Sequence, residues 1–214
     1  MQSIKYSLFG LFLALSLVTT AQVKLGVHFS PGISYSRFET DSDTLQLESK
    51  ASGLRFVSGI VIDYEFAQNY YLSTGINFET RKAGYRVTGP KPSNFTDTYN
   101  LQYVQIPVAL KLYTNEIAID KEIYFKAGGS FSFKVDDNLN AKNNTLISKA
   151  RFFDVGVNLG AGLEMGLGTN TSAFGGLYFQ NGLINMANEH VELDNNSKLS
   201  LKSSMIGLEI GIKF

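Results

Sequence analysis

Ile206-Gly207-Leu208-Glu209-Ile210-Gly211-Ile212-Lys213-Phe214 alternates without a break: every second residue is large and apolar, and only glycine, glutamate and lysine stand between. A period of two belongs to a strand, whose successive side chains leave on opposite faces. This segment therefore carries one apolar face and one face of glycine and charge, and it closes on an aromatic residue.

The same two-faced pattern recurs upstream. The apolar members are Val23, Leu25, Val27, Phe29, Ile33 and Tyr35; then Leu54, Phe56, Ile60, Ile62, Tyr64 and Phe66; then Tyr70, Leu72, Ile76 and Phe78; then Val104, Ile106, Val108, Leu110 and Leu112. Residues 123–135, 153–165 and 173–179 continue it, which makes eight strands and leaves no segment with a helical period. At ten or so residues each they exceed the usual strand of about 5–6. They match the roughly 9–11 residues that a tilted strand needs to cross a bilayer.

The connections alternate in length. Residues 39–52, 87–97, 136–149 and 184–198 are long and polar, whereas Ala67-Gln68-Asn69, residues 114–121 and Gly168-Thr169-Asn170 are shorter. Outer-membrane barrels show this asymmetry, with short periplasmic turns, long extracellular loops and an even strand count. Alternation alone does not say which face is outside, because soluble eight-stranded barrels turn their apolar faces inward. Charge and glycine decide it. No Asp, Glu, Lys or Arg interrupts the apolar stripes, while the opposite stripes hold Lys24, Arg55, Asp63, Glu65, Glu79, Arg81, Lys111, Lys126, Lys134, Asp154, Glu164, Glu209 and Lys213. A lipid-facing charge costs about 2–4 kcal/mol at the midplane. Most glycines fall on the charged stripe as well, where they make room in a lumen only just wide enough for side chains.

The expectation is an all-β, eight-stranded antiparallel up-and-down transmembrane β-barrel with short periplasmic turns and four long extracellular loops. Tyr35, Phe56, Tyr64, Phe66, Tyr70, Phe125, Phe133, Phe153 and Phe214 are expected to form the aromatic girdles. Inside, Arg55, Arg81, Lys126 and Lys134 are expected to pair with Asp63, Glu65, Glu79, Asp154 and Glu164, because an unpaired buried charge is expensive. Such a filled lumen is a plug; a narrow pore is the alternative. Pro107 removes a ladder hydrogen bond from a sheet with no free edge, so a bulge or irregularity is expected there.

Composition fits an exported protein. The 214 residues are 44% hydrophobic and 18% charged, with nineteen basic and nineteen acidic side chains and no cysteine. That balance provides no positive field for nucleic acid, and without cysteine there is neither a disulfide scaffold nor a lipoprotein anchor. Lys5, the apolar run over residues 8–18 and the small residues Thr19-Thr20-Ala21 read as a signal peptide, residues 1–21, cleaved before Gln22. Residues 22–214 are then the barrel domain, placed in the outer membrane. Outer-membrane lipid surrounds it, and the barrel-assembly machinery inserts it, with Ile210, Ile212 and Phe214 as the assembly signal.

Signs of chemistry are sparse. His28 and His190 are the only histidines, and neither has a second ligand at metal-binding spacing. Asp136-Asp137-Asn138 lacks the spaced carboxylates and terminal glutamate of a calcium loop. Glu189, His190, Glu192, Asp194 and Ser197 supply the residue types of a rim hydrolase without a motif that fixes them. The reading is a non-enzymatic protein without cofactor or metal, structural or acting through its loops. Residues 136–149, with Asp136, Asp137, Asn138, Asn140, Lys142, Asn143 and Asn144, offer a contact surface for a protein partner.

Four segments carry a resemblance. Residues 103–111, Tyr-Val-Gln-Ile-Pro-Val-Ala-Leu-Lys, are similar to the Tyr-Leu-x-Ile-Pro-Leu-x-Leu-Lys strand of the PorT-like outer-membrane β-barrel family of Bacteroidota. Tyr124-Phe125-Lys126-Ala127-Gly128-Gly129, residues 154–162 and Asn181-Gly182-Leu183-Ile184-Asn185 resemble its aromatic-x-Ala-Gly strand, its glycine-rich sixth strand and its Gly-Leu-x-Asn strand exit. The likeness spans residues 22–214 and implies the barrel. It also raises a component of a secretion or envelope-assembly complex as an alternative.

Overall fold

The computed structural model describes the backbone of residues 23–40, 46–88, 95–138, 147–185, 187–190 and 199–214. The expected leader 1–21 lies outside these residues, as do Asn140, Lys142, Asn143, Asn144, Glu192, Asp194 and Ser197. Ten strands follow one another: β1 (Val23–Thr40), β2 (Gln46–Ala67), β3 (Tyr70–Thr88), β4 (Phe95–Tyr113), β5 (Lys121–Asn138), β6 (Ile147–Ala150), β7 (Phe153–Gly166), β8 (Ser172–Gly182), β9 (Ala187–His190) and β10 (Leu199–Lys213). Eight of them close into an antiparallel barrel in the order β1-β10-β8-β7-β5-β4-β3-β2. Every neighbour in chain order is a neighbour in space, so the barrel is up-and-down, as expected.

The seam joins the first strand to the last. Val27 lies opposite Ile212 and Gly26 opposite Lys213, and Phe214 and Leu25 exchange backbone hydrogen bonds of 2.7 and 3.3 Å. Both described chain ends and the three short turns therefore share one end of the barrel. In the tightest of these turns Asn69 has φ 65°, a left-handed conformation that a short polar side chain tolerates.

The apolar stripes face outward: Leu54 is 78%, Leu177 62% and Ile76 61% exposed, whereas Glu79, Asp63 and Lys213 are within 1% of complete burial. On β2, Phe56 and Phe66 lie ten residues apart. At about 3.3 Å per residue and a tilt of about 40°, they bracket a band of about 25 Å, the height of an outer-membrane barrel's apolar belt. Phe29, Phe56 and Phe78 follow one another along one rim at 5.8 and 6.2 Å between ring centroids. Phe66 and Tyr70 meet at 6.3 Å on the other.

Two features depart from the sequence reading, and a third refines it. The strands β1–β5 run 18–22 residues, so parts of the expected loops 39–52 and 87–97 are strand. Beyond the lipid-facing band the apolar alternation lapses, yet backbone pairing persists, for example Gln46 with Thr88 and Val87 with Phe95. Second, β6 and β9 pair with each other outside the barrel, tying together two connections that read as loops. Third, the irregularity expected at Pro107 is present, without a register shift. Thr74 faces Val108 and Asn77 faces Gln105 in one register, with an unpaired interval between, and the β4–β5 ladder runs through Pro107 opposite Ser130. The irregularity is a gap, not a bulge. The Thr74 hydroxyl donates to the Pro107 carbonyl at 2.8 Å and bridges the two strands there. Register shifts do occur at Ser34/Tyr35, Lys50/Val57, Glu65/Ala67 and Gln102/Tyr103.

Candidate functional site

The charged stripe lines the lumen, where the described side chains form two ion-pair layers with a polar middle. Parity aims these groups inward, and glycine lets the strands carrying them come close. A Cβ on Gly176 would lie 2.2 Å from the Ala161 carbonyl oxygen, and one on Gly162 would lie 2.3 Å from that of Gly175.

The layer toward the long loops centres on Glu79. Arg55 donates to its Oε1 at 2.5 Å and Arg81 at 2.8 Å, and a second Arg81 nitrogen reaches Oε2 at 3.0 Å. Arg81 also donates to Asp154, and its guanidinium lies 4.4 Å from the Tyr103 ring centroid. Gln105 and Gln180 donate to Glu79 at 3.4 and 3.3 Å, and Arg55 reaches Ser203 on β10 at 2.9 Å. Residues from six strands thus converge on one carboxylate and its arginines. With the Coulombic attraction concentrated among buried groups, paired charges and hydrogen bonds offset their desolvation.

The second layer lies near the chain ends. Lys213 sits 2.6 Å from both Asp63 and Glu164, and Lys111 lies 3.3 and 3.6 Å from the same two carboxylates. Ser73 donates to Asp63 at 2.6 Å and Ser172 to Glu164 at 2.7 Å, while Tyr113 donates to Glu164. Lys111 also stands 4.2 Å from the Tyr124 ring centroid. Below this layer a mouth of about 570 Å³ opens, bordered by Lys24, Glu116, Asp120 and Glu122.

Between the layers, Lys126 donates to both oxygens of Glu209 at 2.6 and 2.9 Å. His28 lies 2.9 Å from Asn77 Oδ1 and 3.2 Å from Ser30 Oγ. A mid-lumen void of about 30 Å³ remains beside them, the space that one water occupies.

The expected network is brought together only in part. Arg55, Glu79, Arg81 and Asp154 form one layer as a unit. Asp63 and Glu164 take Lys111 and Lys213 as partners, not Lys126 or Lys134, and Lys126 takes Glu209. The reason is the slant of the strands, which sets residues far apart in sequence at one height and is not encoded in the spacing of any single strand. Glu65 is half-buried near the chain-end rim and forms no ion pair among the described residues. Lys134 is half-buried, opposite Tyr103 at the other end. The lumen tyrosines Tyr71, Tyr103, Tyr113, Tyr124 and Tyr178 were missed, although each falls on the charged stripe. Ile210, Ile212 and Phe214 face outward. Asp136 is exposed at the long-loop end. Asp137, Asn138, Glu189 and His190 are described by backbone alone, with His190 opposite Ile147. The described residues hold no group of three or more His, Cys, Asp or Glu placed for a metal.

Comparison with known proteins gives one family. The outer membrane protein beta-barrel domain family matches residues 20–188, well over half of the chain. No curated protein matches. Among solved structures, the chain is similar to Neisserial surface protein A, with 12% identity, TM-score 0.48 and coverage of 89% of this chain and 97% of that one. It is also similar to the N-terminal β-barrel domain of Pseudomonas aeruginosa OprF, with 13% identity, TM-score 0.45 and coverage of 91% and 100%. The outer membrane protein OprG of the same organism shows 14% identity, TM-score 0.45 and coverage of 88% and 95%.

Proposed function

The chain belongs to the outer membrane protein beta-barrel domain family, and from that premise we propose that it is a non-enzymatic outer-membrane protein with a closed lumen, acting as a structural element or through contacts at its long-loop end. The observation that carries this reading is the filled lumen: two ion-pair layers, with a void of about 30 Å³ beside the groups between them. Every charged side chain named in those layers is engaged with another, which is the arrangement of a plug rather than of a hydrated pore lining. Planar-bilayer recording on the purified full chain tests it. We expect no large steady conductance; a stable open channel overturns the closed-lumen reading in favour of a pore.

In this reading the chain is exported by a leader cleaved before Gln22, which the N-terminal mass of the outer-membrane form checks. Outer-membrane lipid and the assembly machinery are its obligatory partners. A second reading rests on residues 103–111: finer kinship with PorT-like proteins and a place in a secretion or envelope-assembly complex. In-membrane crosslinking from the long loops separates the two, since a stoichiometric envelope partner supports the second. For the absence of catalysis the check is lipid analysis after His190→Ala, with an unchanged lipid profile expected.

A further inference from the structure

We propose that a groove on the lipid-facing surface, where β1, β10 and β8 run side by side, is a seat for one acyl chain of a glycerophospholipid. The groove has a volume of about 470 Å³ and is bordered by Val27, Phe29, Ala173, Ile210 and Ile212, with Gly211 between the two isoleucines. It rests on the outer-membrane placement of the chain and not on the closed lumen.

Its shape follows from the register. Val27, Ile212 and Ala173 lie in one row across the three strands, and Phe29, Ile210 and Gly175 in the next. In both rows β1 and β10 supply large side chains and β8 supplies alanine or glycine, so the surface steps down at β8. Packing does not impose this step. A Cβ on Gly175 would meet only ordinary contacts, at 3.7 Å from the Glu209 carbonyl oxygen and 3.8 Å from Ile210, whereas one on the adjacent, inward Gly176 would clash at 2.2 Å. The inward glycine is required by the barrel; the outward one leaves room that the barrel does not use.

Continuity with the lipid-facing band identifies the occupant. Val27, Phe29, Ile210 and Ile212 are between 42% and 54% exposed, members of the stripe that meets hydrocarbon. Lipid tails are as apolar as these side chains, so a protein partner gains nothing from apolar burial alone and needs close packing of complementary shape or interchain hydrogen bonds. The groove offers no hydrogen bond: its bordering stripe residues are aliphatic or aromatic, and the ring nitrogens of adjacent His28 face Asn77 and Ser30 inside. What does gain is a flexible chain that follows the step and makes dispersion contacts on several sides. The groove reaches Ala173 and Ile212, one or two residues from the chain-end rim. Its Ala173 and Ile212 end therefore opens to the leaflet on the side of the short turns, the periplasmic and glycerophospholipid leaflet in the expected orientation, while Phe29 lies toward the long-loop side.

The chain contains no tryptophan, which makes single reporters unambiguous. Leu177→Trp, on β8 beside the groove, and Ile76→Trp, on β3, are each placed in the full chain and reconstituted in phosphatidylethanolamine vesicles holding a small fraction of chain-brominated phosphatidylethanolamine. We expect quenching at least twofold stronger at position 177 than at 76. The excess should vanish in the Ala173→Leu/Gly175→Leu background, measured on protein that retains a heat-dependent gel shift. Native mass spectrometry of the tryptophan-free chain should show one retained phospholipid, lost in the same double variant. Equal quenching at the two positions overturns the proposal, as does a second copy of the chain crosslinked through Ala173→Cys. Should the double variant fail to fold, the comparison of positions 177 and 76 still decides. A conducting lumen would remove the closed-lumen reading and leave this result untouched.

Discussion

At the scale of single residues, the lumen divides into positions that tolerate no change and positions that tolerate much. Glu79 is completely buried between Arg55 and Arg81, so Glu79→Ala leaves Arg55 without its counter-charge and Arg81 with Asp154 alone. Breaking a buried pair in this way costs about 3–5 kcal/mol, and urea unfolding of the variant should show a loss of that order; a loss below about 1 kcal/mol would mean that water replaces the carboxylate. Glycines give a second contrast. Gly162→Ala forces a Cβ to 2.3 Å from a backbone oxygen, whereas Gly129→Ala meets only the Gly156 carbonyl oxygen at 3.5 Å. The first should destabilise by about 1–3 kcal/mol, the usual range for overpacking. The second should be neutral or stabilising by up to about 1 kcal/mol, because alanine loses less backbone entropy than glycine. Residue parity was legible in the sequence, and with it which charges face inward. Pairing was not: Lys213 reaches Asp63 and Glu164 only because closure sets three strands at one height, and a list of inward residues contains no heights.

At the scale of elements, β4 and β10 carry the informative cases. Proline in a closed barrel read as a bulge or irregularity because a missing donor has to be accommodated somewhere. The chain accommodates it with a side chain, the Thr74 hydroxyl on the Pro107 carbonyl, and keeps the register. Thr74→Val removes that bond while nearly preserving shape, so we expect a loss of about 1 kcal/mol in unfolding free energy; no change would show that the bond contributes nothing net. Loop lengths were legible in their alternation, but strand ends were not, since hydrogen-bonded pairing outlasts the apolar pattern that marks lipid contact. The four-residue strands β6 and β9 are too short for any periodicity to announce them. For β10, deletion of Phe214 removes the outward aromatic and the backbone pair with Leu25. Reduced outer-membrane levels of the truncated chain are expected, and normal levels would argue against the assembly-signal role.

At the scale of the whole molecule, the fold was almost entirely legible because one rule, apolar outside and charged inside, governs all eight barrel strands. Function was less so, since the same rule holds for every filled barrel in a membrane. Closure offers a test of how the parts depend on each other. A circular permutant that joins Phe214 to Val23 by a short linker and opens the chain between Gln68 and Asn69 retains every barrel strand, and it should still show a heat-dependent gel shift after refolding in detergent. If it refolds in detergent but no longer reaches the outer membrane in cells, the signal lies in ending the chain with β10 rather than in the strand itself.

The seam has a consequence in time. Glu209 and Lys213, the partners of Lys126, Asp63 and Glu164, both stand on β10, the strand that closes the barrel against β1. Until they arrive, the charges on the earlier strands have only water to answer them, and the half-made wall stays wet and pliable. Arrival of the final strand neutralises the interior and zips the edge in the same act, so drying and sealing coincide. A chain interrupted short of that point would remain hydrated and open, recognisable to proteases as unfinished.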